Sequence, residues 1–194
     1  MSEDPVETAV EAKEKDRRAA LVIALLALLL ALSEAGAKRA QHLSTESNIE
    51  AVDLFNFYQA KKIRATIAES GAQLLEAEKA AVADPNAREA FDKQIETFHA
   101  AVERYEHEPK HPEDSLEKIQ ERAHEATEAR ELANHRLERY EFGSGLTQIA
   151  IVLASASIIT DIAALLWISI GLGAIGAALV GLGFFLPTAL PFLG

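Results

Sequence analysis

From Phe142 to Gly194 the chain reads FGSGLTQIAIVLASASIITDIAALLWISIGLGAIGAALVGLGFFLPTALPFLG and carries one ionisable side chain, Asp161. A spanning helix needs about 20 predominantly apolar residues, so this run is long enough for two. In lipid every backbone polar group has to be satisfied internally, which makes the helix its natural form. A second apolar stretch, AALVIALLALLLALSEAGA from Ala19 to Ala37, supplies a third. The expectation is an all-α integral membrane protein with three transmembrane helices and a long helical coiled-coil insert between the first and second. Its segments are a polar N-terminal tail (1–18), transmembrane helix 1 (19–37), an extramembrane helical bundle (38–142), transmembrane helices 2 (143–161) and 3 (162–186), and an apolar C-terminal tail (187–194).

A mean hydropathy of +0.03 conceals this segregation, because the apolar stretches are averaged with a charged remainder. The net charge of -11 comes mostly from the insert, which has no basic face and so gives no electrostatic footprint for nucleic acid. There is no cysteine, hence no disulfide, thiolate metal site or cysteine nucleophile. Lys13, Lys15, Arg17 and Arg18 lie directly before the first apolar run, and basic residues in that place favour a cytoplasmic N-terminus. Lys38 and Arg39 on the far flank oppose this more weakly. Ala35-Gly36-Ala37 has the small residues of a signal-peptide cleavage site, but the stretch is read as an uncleaved anchor.

Within the first run Ala20, Ala24, Ala27 and Ala31 form a small-residue seam for close helix contact, and Glu34 continues that stripe. An acid in such a place is a candidate for proton or cation handling; the plainer reading pairs it with Lys38 one turn on.

Residues 38–142 have helix composition, rich in Ala, Glu, Lys, Arg and Gln. Three arms are expected. The first carries Ala60, Ile63, Ile67, Ser70, Leu74, Ala77 and Ala81 at heptad spacing, with Ser47 and Glu50 as a possible capping box. It ends at Asp84-Pro85, an N-cap and a first helical residue for the second arm. That arm has Phe91, Ile95, Phe98, Val102 and Tyr105; a hinge from His107 to Ser115 contains Pro109 and Pro112; the third arm has Leu116, Ile119, Ala123, Ala126, Ala133, Leu137 and Tyr140. Rods of ~55 Å and ~40 Å with narrow seams bury little apolar area, which points to other copies of the same chain as partners.

The stretch LFNFYQAKKIR, Leu54 to Arg64, carries Phe55, Phe57 and Tyr58 followed by Lys61, Lys62 and Arg64. Aromatic and then basic residues suit a membrane surface, while aromatics at helical spacing also suit packing or a subunit contact, with Gln59 hydrogen-bonding across. With the N-terminal span before it and LTQIAIVLASASIIT after the helices, the chain resembles an uncharacterised bacterial membrane family, domain of unknown function 4337. Tyr58-Gln59-Ala60-Lys61 is the most specific element, and the resemblance covers nearly the whole chain. It implies a three-span inner-membrane protein with a helical insert and brings no catalytic residues. Phe55 stands where the family suggests tryptophan, and Thr160-Asp161-Ile162 where it suggests a basic turn.

Chemistry finds little support. Glu96/His99 and Glu121/His124 have di-iron spacing but fall on outer faces, so no metal is expected. His107 and His111 belong to a solvated hinge. Gly171 to Gly176 matches a dinucleotide pattern without the strand that pattern needs. Gly173, Ala177 and Gly181 read instead as a small-residue ladder. Asp161 is placed in a tight hairpin, capping the last helix; a longer second helix would bury it in lipid.

The expected function is a homo-oligomeric inner-membrane scaffold with its insert in the periplasm. An ion or proton channel using Glu34 and Asp161 is one alternative, and a membrane-anchored partner-binding or sensor module another. No catalytic residue and no cofactor are assigned; lipid and self are the expected partners.

Overall fold

The computed structural model describes residues 5–186, with side chains from Glu14 onward except Lys15. The expected tail over 187–194 and the side chains of Lys13 and Lys15 therefore lie outside the described residues. Four helices account for nearly all of the chain: α1 (Pro5–Ala81), α2 (Pro85–His107), α3 (Leu116–Thr160) and α4 (Ala163–Phe185), with one 3-10 turn at Pro112–Asp114 and no strand among the described residues. Three of them, α1, α3 and α4, are long and apolar enough to cross a membrane.

The first span and first arm are one helix. α1 runs 77 residues, about 115 Å at the usual rise, with no break at Ala37 or Ser47. The Ser47/Glu50 capping box is therefore unused, because neither glycine nor proline stands between Ala37 and Ser47 to interrupt the helix. α2 begins as expected: the Asp84 carboxylate accepts from the Asn86 amide at 3.1 Å, and Pro85 occupies the first turn, where its missing N–H costs nothing.

The chain forms two compact units, residues 1–45 with 131–194, and residues 46–130. In the first, α1, the second half of α3 and α4 make an antiparallel bundle. Its α1 face is Ala19, Leu26, Ser33 and Ala40, one residue every seven. This corrects the alanine seam: Ala20, Ala24, Ala27, Ala31 and Glu34 are all exposed. The face that won carries matched partners. The Ser33 hydroxyl donates to the Tyr140 carbonyl at 2.7 Å, and Leu26 lies where a side chain on Gly173 would be. The α4 contact line is Ser169, Gly173, Gly176 and Gly183. A Cβ on Gly176 would sit 2.8 Å from Thr147 Oγ1 and 3.1 Å from the Gly143 carbonyl, so backbone meets backbone there. Of the expected ladder only Gly173 is buried; Ala177 is exposed and Gly181 has open space around it.

In the second unit α1 and α2 pair antiparallel, with α3 completing the packing. The inward residues of α2 and α3 are the expected ones, Ile95, Leu116, Ile119, Ala123 and Ala126 being buried. The α1 seam is not. Ala60, Ile63, Ile67, Ser70, Leu74, Ala77 and Ala81 all face outward, and Leu54, Lys61, Ala65, Ala68 and Ala72 face in. α2 supplies bulky side chains, so α1 has to supply small ones: the Phe98 ring lies 3.0 Å from where a Cβ on Gly71 would be.

Candidate functional site

The aromatic-basic stretch folds into two faces of α1. Leu54 and half-buried Tyr58 pack with Ile119 and Ala123 as the core of the second unit. Phe55, Phe57 and Gln59 are exposed. Lys61 is only 5% exposed. Its Nζ donates to Glu108 Oε2 at 2.9 Å and to the Asp114 carbonyl, and lies 5.3 Å from the centre of the Phe57 ring. A buried ammonium needs such partners, because burying it unpaired is far costlier than pairing it.

These bonds fasten both ends of the hinge to α1. Glu108 ends α2 in the left-handed conformation, φ 41°, and its amide donates to the Arg104 carbonyl at 3.0 Å. The lysine's hydrogen bond is the main cause holding the Glu108 carboxyl below the usual carboxylate range. Beside it, the Lys62–Glu106 pair at 3.0 Å raises the Lys62 ammonium above its ordinary value, its hydrogen bond first and its charge second. No local pattern announces this clasp: the carboxylate that meets the lysine lies 47 residues away.

Along α1 and α3 of the same unit runs an open groove of about 580 Å³ lined by Glu46, Glu50, Asp53 and Asp114 with Arg122 and Phe57. Among the described residues no three His, Asp or Glu side chains are placed to share a metal ion. His99 lies 3.7 Å from Glu76 and His124 3.2 Å from Glu128, so the two Glu-x-x-His motifs turn to other neighbours.

The two candidate acids, Glu34 and Asp161, lie at opposite ends of the first unit. Glu34 lines an open cavity of about 560 Å³ with Lys38, Gln41, Glu141 and Gln148. Asp161 sits in the two-residue turn between α3 and α4 in the left-handed conformation, φ 59°. The hairpin is as expected, but the N-cap position of α4 belongs to Ile162. A reversal this short needs one residue at positive φ, and Asp tolerates that better than a β-branched neighbour. Between these ends the buried polar groups are hydroxyls. Ser33 and Thr147 are fully buried, as is Ser169, whose hydroxyl donates to the Ala150 carbonyl at 2.8 Å. The Thr147 hydroxyl bonds to its own helix at Gly143.

The chain is thus an all-helical protein with three helices suited to a membrane and an acidic helical unit held by a buried lysine. A family model described as Domain of unknown function (DUF4337) matches residues 15–186, and the chain belongs to that family. No curated protein and no solved structure matches it.

Proposed function

We propose that the protein is a homo-oligomeric scaffold of a bacterial inner membrane, with its N-terminus in the cytoplasm, its second unit in the periplasm, and α1 as the helix through which copies associate. α1, α3 and α4 span the bilayer in this reading. Support for the orientation comes from Arg17 and Arg18 with Lys13 and Lys15 before the first apolar run.

The observation that carries the reading is the outward stripe of α1. Ile63, Ile67 and Leu74, with Ala60 before them, Ser70 between them and Ala77 and Ala81 beyond, keep heptad spacing on the face opposite the one buried within the chain. Two heptad stripes on one helix suit two partners, one within the chain and one outside it. The flanking charges suit a second copy. Helices leaving one membrane in the same direction pair in parallel, which sets Arg64 against Gln59 and Glu78 against Gln73 of the other copy, with no like charges opposed.

The absence of native cysteine makes the test direct. Single cysteines at Ile63, Ile67 or Leu74, oxidised in isolated membranes, should give disulfide-linked dimers; cysteines at the buried Ala65 and the outward Glu69 should not. No dimer from any stripe position, or equal yields at Glu69, would overturn the reading and leave the stripe to a different protein.

One observation favours a channel as the second reading: Glu34 faces an open polar cavity rather than the bundle interior. Ion flux through vesicles containing the protein, abolished by Glu34→Gln or Asp161→Asn, would promote it over the scaffold.

A further inference from the structure

One cavity of the apolar unit differs in chemistry from the rest of this acidic chain. It measures about 820 Å³ and is lined by α1, α3 and α4 at the end of the unit marked by Gly36, Tyr140 and Gly183. Its lining contains two arginines, Arg39 and Arg136, and no carboxylate. The remaining wall is largely apolar, including Leu32, Val180 and Phe184.

The two kinds of lining are separated along the helices. Arg39 lies seven residues beyond Leu32 on α1, about 10 Å along the axis, and Arg136 lies one turn before Tyr140 on α3. Both arginines therefore stand beyond the apolar run, while Leu32, Val180 and Phe184 belong to it. The Nε of Arg136 is buried and has no hydrogen-bond partner among the described residues. A buried donor on a cation is costly to leave unmet and calls for an acceptor, best an anionic one. The cavity also has room: a Cβ on Gly181 would meet nothing within 4 Å.

We infer that this cavity holds an anionic phospholipid, its phosphate between Arg39 and Arg136 and one acyl chain along Leu32, Val180 and Phe184. The inference rests on the membrane-spanning reading of the three helices. Charge complementarity selects the headgroup, since paired guanidinium groups bind phosphate oxygens in a geometry that lysine does not reproduce. The apolar floor selects a lipid over a free anion, because inorganic phosphate would leave Leu32 and Phe184 uncovered.

The test uses the full chain in detergent and native mass spectrometry, with phosphatidylglycerol, phosphatidylcholine and inorganic phosphate as three separate probes. Phosphatidylglycerol should remain bound at least fivefold more than phosphatidylcholine, and phosphate at millimolar concentration should neither bind nor displace it. Arg39→Gln with Arg136→Gln should remove that preference, while Lys38→Gln, which lines the other cavity, should keep it. Gly181→Trp provides a second variant that leaves both arginines in place and should expel the lipid by filling its chain site. Equal retention by the native chain and both variants would overturn the inference, as would tight binding of phosphate alone. Extraction of the protein from membranes by alkaline carbonate would instead refute the spanning of the bilayer, which keeps the two failures apart.

Discussion

Truncating Ile67 should weaken self-association without touching the fold of the single chain. Ile67 is 64% exposed, Leu74 60% and Ile63 51%. Fully burying such a side chain is worth about 1.5–3 kcal/mol, so covering the exposed part of each contributes about 1.2 kcal/mol, and six side chains from two copies about 7 kcal/mol. Association costs roughly 4–15 kcal/mol in lost freedom, which puts a detached unit near the limit of stable pairing. Anchoring in a shared membrane, as proposed, would then supply the effective concentration that favours a dimer. Ile67→Ala removes about 1 kcal/mol from each copy and about 2 kcal/mol from the pair, a shift of about 30-fold in the dissociation midpoint. The assay is energy transfer between donor- and acceptor-labelled chains in liposomes, titrated by protein-to-lipid ratio. Helicity of the single chain should stay unchanged, because Ile67 lies on the outward face of α1. A midpoint moved less than threefold, or a native chain that remains monomeric across the titration, would refute the reasoning.

Three other outcomes are expected. Ile119→Ala, at a site with no exposure, should cost 2–5 kcal/mol in chemical denaturation of the second unit. Lys61→Met should release the hinge, read as faster hydrogen exchange over residues 108–115 than in the native chain, whereas Lys62→Met, on a half-exposed side chain, should leave that exchange unchanged. Hinge protection should also depend on pH. Because Lys61 lowers the Glu108 carboxyl, its contribution is complete above the usual glutamate value and disappears as pH falls through the lower, folded-state value; the Lys61→Met chain should show no such step in hydrogen exchange.

Much of this fold is legible from spacing alone. α2 and α3 each have one apolar line, and a helix with one such line has only one face to bury; Ile95, Ile119 and Ala123 therefore fall where they are expected. α1 has two lines, and hydrophobicity ranks them in the wrong order. Ile63, Ile67 and Leu74 outscore Ala65, Ala68 and Ala72, yet the smaller set is buried because Phe98 already fills the interface from the other side. Shape complementarity of that kind belongs to two helices jointly and cannot be read from one. The same holds for the apolar unit, where Ser33 displaced the alanine stripe by finding a carbonyl on α3. Among the candidate residues, Lys61 stands within an aromatic-basic motif; Pro109 announces the end of α2, but not that Glu108, itself left-handed, turns its carboxylate to a lysine 47 residues earlier. Arg39 and Arg136 carry no motif at all; only the packing of three helices brings them to one cavity.

The Ser33 hydroxyl and the Tyr140 carbonyl are 107 residues apart in sequence. At about 5–20 residues per second, a ribosome needs roughly 5–20 s to make the second after the first. If α1 spans the bilayer as proposed, it stands there for that interval with no partner helix, and its serine has to satisfy itself on its own backbone, as serines in apolar helices do. A helix that must wait alone in lipid has to be apolar on every side, including the sides it later buries. On that reading the unbroken apolar run of residues 20–32, made of leucine, alanine, valine and isoleucine, has its reason, and docking of α3 is an exchange of one hydrogen bond for another rather than the rescue of an unmet group.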